Sequence, residues 1–179
     1  MKRTSNIYKL IVVAILMLFA PRFAQAQNLA VSSNVLTWAN FGTINADASL
    51  SVSRHLSVHA GATANPWNFT SPTFVDLKNN QYGGYLGARY WPWHVYSEWW
   101  VGAKLQYKYF DQKGILSSGP IKGSAFGPGI SGGYTVMLSE HVNLDLGLGI
   151  WGGGLLMKEQ APRAFFFLDN IIVAFEYIF

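Results

Sequence analysis

Four histidines and one glycine run are the places in this 179-residue sequence where residue type and spacing could support catalysis or ligand binding. A histidine serves as a base for a serine nucleophile when an acid orients it, or as a metal ligand when other donors join it. His55, His94 and His141 stand among turn residues, and His59 stands in an alternating segment with no acid that the sequence alone assigns to it. No histidine pair has metal-ligand spacing backed by further ligands, and there is no cysteine to supply a thiolate. Gly127-Pro128-Gly129-Ile130-Ser131-Gly132 matches the spacing G-x-G-x-x-G. That fingerprint needs a strand before it and a helix after it, so that a helix N-terminus receives the phosphate. Here an alternating segment follows and Pro128 interrupts, so glycines that let a strand bend or pack closely account for the run better. No catalytic, cofactor or metal site emerges.

The chemistry therefore depends on what the elements hold together. Lys2, Arg3 and Lys9 precede an apolar run over residues 10–20, and Ala24-Gln25-Ala26 supplies a small-x-small cleavage pattern. This is the plan of a secretory signal peptide, residues 1–26, leaving a single mature domain at 27–179. Eleven apolar residues are too few for a bilayer core that needs about 20. Lys2, Arg3, Lys9 and Arg22 leave with the signal, so nine basic residues then balance nine acids. No basic patch remains to bind nucleic acid. Charged residues are 12% of the chain against about 25% in typical domains, while aromatics and glycine are abundant. Low charge without a spanning helix points to strands that face lipid.

Period-two alternation recurs near 29–39, 43–53, 56–64, 82–91, 97–110, 129–138, 142–151 and 170–179. Most of these segments approach the 9–11 residues of a tilted membrane strand, and eight is the smallest usual barrel. Short connections at 54–55, 92–96 and 139–141 alternate with long ones at 65–81, 111–122 and 152–169, the one exception being a brief first external loop near 40–42. A membrane barrel has short periplasmic turns and long external loops, which puts both termini in the periplasm. Val142, Leu144, Leu146, Leu148 and Ile150 oppose Asn143, Asp145, Gly147 and Gly149, and other segments repeat this division. A soluble barrel would solvate the polar face, but one made of Gly, Ser and Asn suits a crowded lumen better. The expected architecture is all-β: an eight-stranded, antiparallel, up-and-down transmembrane β-barrel.

That assignment directs Asp47, Arg89, Glu98, Lys104, Lys108, Asp145 and Glu176 inward. Arg89 and Glu98 flank a turn centred near His94 and are expected to be cross-strand neighbours. Eight strands enclose a space that side chains fill, so a salt-bridge plug is favoured over a conducting path. Asp145→Asn is expected to be far milder than Leu146→Arg. Trp91, Trp93, Tyr96 and Trp99, with Tyr177 and Phe179, are expected at one interface; Tyr107, Tyr109, Trp38, Phe41 and Trp151 at the other. Phe175, Tyr177 and Phe179 share the outer face of the last strand. An alternating strand with an aromatic C-terminus resembles the signal read by the barrel assembly machinery. Trp67, Phe69 and Phe74, and Phe165, Phe166 and Phe167, lie in the expected external loops and are candidate contact residues.

Ser33-Asn34-Val35-Leu36, Asn65-Pro66-Trp67, Ala88-Arg89-Tyr90-Trp91, Gly132-Gly133-Tyr134 and Leu138-Ser139-Glu140 follow one another along the chain. In that order they resemble an uncharacterised, domain-of-unknown-function family of small outer-membrane barrels of Bacteroidota-type bacteria. The likeness spans nearly all of the mature chain and is weakest over 152–169. It implies an outer-membrane address and proximity to fimbria-like surface-assembly proteins, and no agreed activity. The expected function is a plugged, non-enzymatic barrel with a structural or surface-interaction role through its loops. A narrow solute channel and a lipid-modifying enzyme are the alternatives. The expected partners are outer-membrane lipids, the assembly machinery and envelope proteins.

Overall fold

A computed structural model describes residues 29–40, 42–69, 77–113, 121–157 and 161–179. The expected signal peptide, Phe41 and Phe74 lie outside the described residues. The alternating segments form β1 (Leu29–Asn34), β2 (Ile44–Ser53), β3 (Leu56–Asn65), β4 (Asn68–Phe69), β5 (Leu77–Tyr90), β6 (Glu98–Lys113), β7 (Ile121–Met137), β8 (Val142–Met157) and β9 (Arg163–Ile178). Long strands pair antiparallel in chain order, β3 pairs with β5, and β1 pairs with β9. Eight strands thus close into the expected barrel, and β4 is a two-residue addition to β5. Closure joins Ala30 to Ile178 and Asn34 to Ala174, and the Phe179 amide donates to the Leu29 carbonyl at 2.9 Å.

Two features depart from the sequence expectation. The first strand stops at Asn34, because its side-chain oxygen accepts from the Leu36 amide at 3.0 Å and caps the helix α1 (Val35–Ala39). The strands beyond β5 are longer than expected: β6 to β9 each have 16 or 17 residues. Most of the expected loop at 152–169, and both ends of the one at 111–122, are therefore strand. Glycines 152 and 153 lie opposite Phe166 and Phe165, so bulky rings cover backbone that has no side chains of its own. That pairing carries the ladder past the point where a glycine run suggests a loop. Phe165, Phe166 and Phe167 are accordingly residues of β9.

The barrel is apolar outside and polar inside. Leu86, Leu105, Ile130 and Leu148 are 69%, 50%, 59% and 57% exposed on the outer wall. The inner face buries Asp47, Ser49, Ser57, His59, Thr135, Asn143, Asp145 and Glu176. Small inner-face residues let strands and rings approach closely. A Cβ on Gly133 would meet the Leu146 carbonyl at 2.2 Å and the Trp100 ring at 2.6 Å, whereas at Gly154 it would meet nothing within 4 Å. Gly133→Ala is therefore expected to cost about 1–3 kcal/mol through overpacking, and Gly154→Ala to be neutral. The temperature at which the folded, fast-migrating band disappears from a semi-native gel measures both.

Candidate functional site

At the end of the lumen where β1 begins and β9 ends, the connection between β5 and β6 packs across the mouth. The Trp91 amide donates to the His55 carbonyl at 2.9 Å and the Val95 amide to the Arg54 carbonyl at 2.8 Å, folding the connection under the barrel. Tyr96 and Glu98 then adopt φ values of 65° and 59°, a left-handed conformation that costs a non-glycine residue about 1–3 kcal/mol. Burial offsets that cost. Trp91, Val95, Tyr96 and Trp100 pack with Ala30 and Ile178 into the apolar cluster of the structure. The Ser49 hydroxyl donates to the Tyr96 hydroxyl at 2.9 Å, and the Asn143 amide donates to the Tyr96 carbonyl at 2.8 Å. Burial pushes the Tyr96 phenol from 10 to about 12. The stability tied to its neutral form is present below pH 10 and is lost as pH rises through about 12.

Above this floor the inner face is filled by hydrogen-bonded layers. Asp145 on β8 accepts from the Arg89 guanidinium at 2.7 Å, the Trp100 indole at 2.7 Å and the Thr135 hydroxyl at 3.1 Å. Arg89 also lies 3.9 Å over the Trp100 ring, so its cation is paired on one side and stacked on the other. A second layer joins Asp47 to His59 Nδ1 at 3.0 Å and to the Tyr85 hydroxyl at 2.5 Å. His59 Nε2 lies 2.8 Å from the Ser57 hydroxyl, which accepts from the Trp91 indole at 3.0 Å. Nearer the other mouth, Lys104 pairs with Asp169 at 2.5 Å, and Gln106 donates to Asp169 at 2.8 Å. Asn143 reaches Glu176 at 3.3 Å.

The structure thus brings Asp47, Arg89, Lys104, Asp145 and Glu176 into the lumen. Lys108 lies half-buried on the same face, with no carboxylate in ion-pair contact among the described residues. Glu98 is a correction: it is exposed at the rim, and Arg89 stands opposite Gly102 and Ser57. Folding Val95 and Tyr96 inward lengthens the connection and moves its centre toward β6, which takes Glu98 out of register with Arg89. Trp91, Tyr96 and Trp151 are also corrected, from interface rings to buried inner residues, whereas Trp93 and Trp99 are exposed. Phe175, Tyr177 and Phe179 all face outward as expected. Trp67 is exposed and donates to the Gly42 carbonyl at 3.0 Å; Phe69 lies in β4.

Sequence reasoning missed His59 and Asp169 as network members. The short turn at 54–55 sets Ser49 opposite His59 and Asp47 opposite Gly61, one inner-face position away, so hairpin register carried the signal for the first. Asp169 is the extra residue where the β8–β9 register shifts between Gly149 and Ile150, and that bulge turns it inward. The glycine run at 127–132 lies within β7, with no helix after it. A Cβ at Gly127 would meet the Gly152 carbonyl at 2.0 Å, so close strand approach explains the glycine.

Ser57, His59 and Asp47 reproduce the contacts of a nucleophile, base and orienting acid. Ser57 is fully buried, and its oxygen already accepts the Trp91 indole proton. The adjoining cavity of ≈ 70 Å³, lined by Asp47, His59, Tyr85, Arg89 and Lys104, has the volume of a few waters and is small for an acyl chain. Among the described residues no group of acids and histidines could hold a metal. Removing one member of the central pair leaves a charge without its partner. Arg89→Ala and Asp145→Asn are each expected to cost about 3–5 kcal/mol, read from urea unfolding of the folded barrel. The expected mildness of Asp145→Asn is thereby revised, because three donors converge on this carboxylate.

No curated protein and no solved structure matches the chain. A family model described as "Protein of unknown function (DUF3575)" matches residues 11–160, which takes in the barrel from β1 to β8. By that match over most of its length, the chain belongs to the DUF3575 family.

Proposed function

We propose that this protein is an integral outer-membrane barrel with a plugged lumen, which acts as a non-enzymatic structural or surface-interaction element. The observation that carries this reading is the inversion of faces. A wall of exposed Leu and Ile surrounds buried Asp, Arg, His and Lys, the arrangement suited to a lipid exterior and opposed to a water-soluble barrel. Tyr107 at 49% exposure and Trp99 at 61% sit towards opposite ends of one outward row of β6, where headgroup-seeking rings belong. The outward Phe175, Tyr177 and Phe179 supply the C-terminal pattern for the assembly machinery. The short connections and both strand-bearing chain ends share one mouth, which in this reading faces the periplasm; the tall strands β5 to β9 reach outward.

The sealed floor and the Arg89–Asp145 layer argue against a solute path. The burial of Ser57 argues against acyl transfer to or from lipid, since a nucleophile must reach the carbonyl it attacks. Wild-type protein reconstituted in planar bilayers is expected to show no steady current, and overexpression is expected to leave lipid A and phospholipid unchanged. Steady open currents would favour the channel reading instead, and a modified lipid that disappears in Ser57→Ala would favour the enzyme. For the membrane itself, Leu148→Arg is expected to destabilise by about 2–4 kcal/mol in lipid because it places charge near the bilayer midplane. Equal stability of Leu148→Arg and wild type in vesicles would count against insertion.

A further inference from the structure

The barrel wall is not equally tall all round. β1 pairs with β9 only from Ala30–Ile178 to Asn34–Ala174, after which the chain turns into α1. β9 continues to Arg163, paired with β8 alone. The Asn34 side chain bridges the first step beyond β1: its amide donates to the Ile171 carbonyl at 3.0 Å, and its oxygen accepts from the Val173 amide at 3.3 Å. Further along, from Arg163 to Leu168, no described strand covers this side of β9.

Register identifies the backbone groups on that open edge. Phe179 and Val173 turn their amides toward the β1 side, while the Ile178 amide bonds to His141 on the β8 side. Backbone groups alternate along an antiparallel strand, so odd-numbered residues in this stretch face β1. The extra residue at Asp169 exchanges the two sets. Beyond it, Ala164, Phe166 and Leu168 direct their N–H and C=O groups to the open edge, and Phe165 and Phe167 direct theirs to β8.

Native edges of this kind are usually short, charged or covered. This one carries Phe166, Phe167 and Leu168 at 69%, 60% and 62% exposure. We infer that the β9 edge from Arg163 to Leu168 is a docking site for an extended strand of a partner polypeptide, which pairs antiparallel and extends the sheet. Its neighbours on the outer face are Phe166 and Leu168, and on the inner face Phe165 and Phe167. The fitting strand is therefore apolar on both faces. Exposed Arg163, with no carboxylate in ion-pair contact among the described residues, favours an acidic residue at the end of that strand. The same strand of a second copy does not fit: two barrels inserted in one membrane run their β9 strands in the same sense, so a β9–β9 pair is not antiparallel. That exclusion and the outward direction of the edge rest on the membrane reading above; the open edge itself does not.

The test uses the full mature protein folded in detergent micelles and a short synthetic strand of valine, phenylalanine and threonine ending in glutamate. Saturable binding is expected, with amide exchange at Ala164, Phe166 and Leu168 slowed by about tenfold or more. Phe166→Pro removes one edge N–H without touching the β8 ladder, and it is expected to abolish binding while the barrel keeps its folded gel mobility. Phe166→Thr keeps the N–H and is expected to weaken binding only partly. Three results would overturn the site: the three amides already protected in the free protein, no added protection at saturating peptide, or full binding by Phe166→Pro. Labelling of Ala164→Cys by an impermeant reagent on intact cells separates the two readings. Absence of labelling with binding intact in micelles sinks the orientation and leaves the edge site standing.

Discussion

Asp145 accepts hydrogen bonds from β5, β6 and β7 while standing on β8, and the interior depends on that convergence. A buried carboxylate is tolerated only when paired and hydrogen-bonded, since desolvation otherwise costs several kcal/mol. Arg89, Trp100 and Thr135 meet that demand, and each is then held by it. Trp100 in turn supports the floor beneath, packing against Trp91, whose indole donates to Ser57 and so joins the Asp47–His59 layer. Glycine at 133 and 147 is the steric condition for the arrangement, because a Cβ at either position would collide with the Trp100 ring. One polar contact thus ties together strand spacing, ring position and the closure of one mouth.

Much of this was legible in the sequence because period-two alternation is a strong signal when both faces of a strand are specified. The eight strands, the inward direction of Asp47, Arg89, Lys104, Asp145 and Glu176, and the outward aromatic face of β9 all follow from it. What alternation does not encode is where a turn residue ceases to turn outward. Tyr96 and Val95 read as residues of a periplasmic turn but fold into the lumen, because burial of a ring offsets a left-handed backbone. That event displaced Glu98 from the network. The bulge at Asp169 is similarly invisible, since a single extra residue flips a face without changing composition. Phe165 to Phe167 were misread as loop because glycines opposite them masked a continuing ladder.

The same physical division separates what is structural from what is available for interaction. Inside the barrel Arg89 pairs with Asp145, Lys104 with Asp169 and His59 with Asp47, around a cavity of ≈ 70 Å³. At the tall wall, where β9 outruns β1, no described strand pairs with the far side of β9. In the proposed reading, a rigid scaffold that offers backbone hydrogen bonds and apolar side chains at its rim serves recognition.

Adjacent residues of β7 test the proposed lipid exterior and the polar interior most directly. Ile130 is 59% exposed on the outer wall, and Ser131 beside it lines the internal cavity. Each is replaced by cysteine, a near-isosteric change at 131, and the folded protein in vesicles is exposed to a lipid-dissolved thiol reagent. Rapid modification at position 130 with little at 131 is the predicted result. Equal modification at both positions, or faster modification at 131, would contradict it.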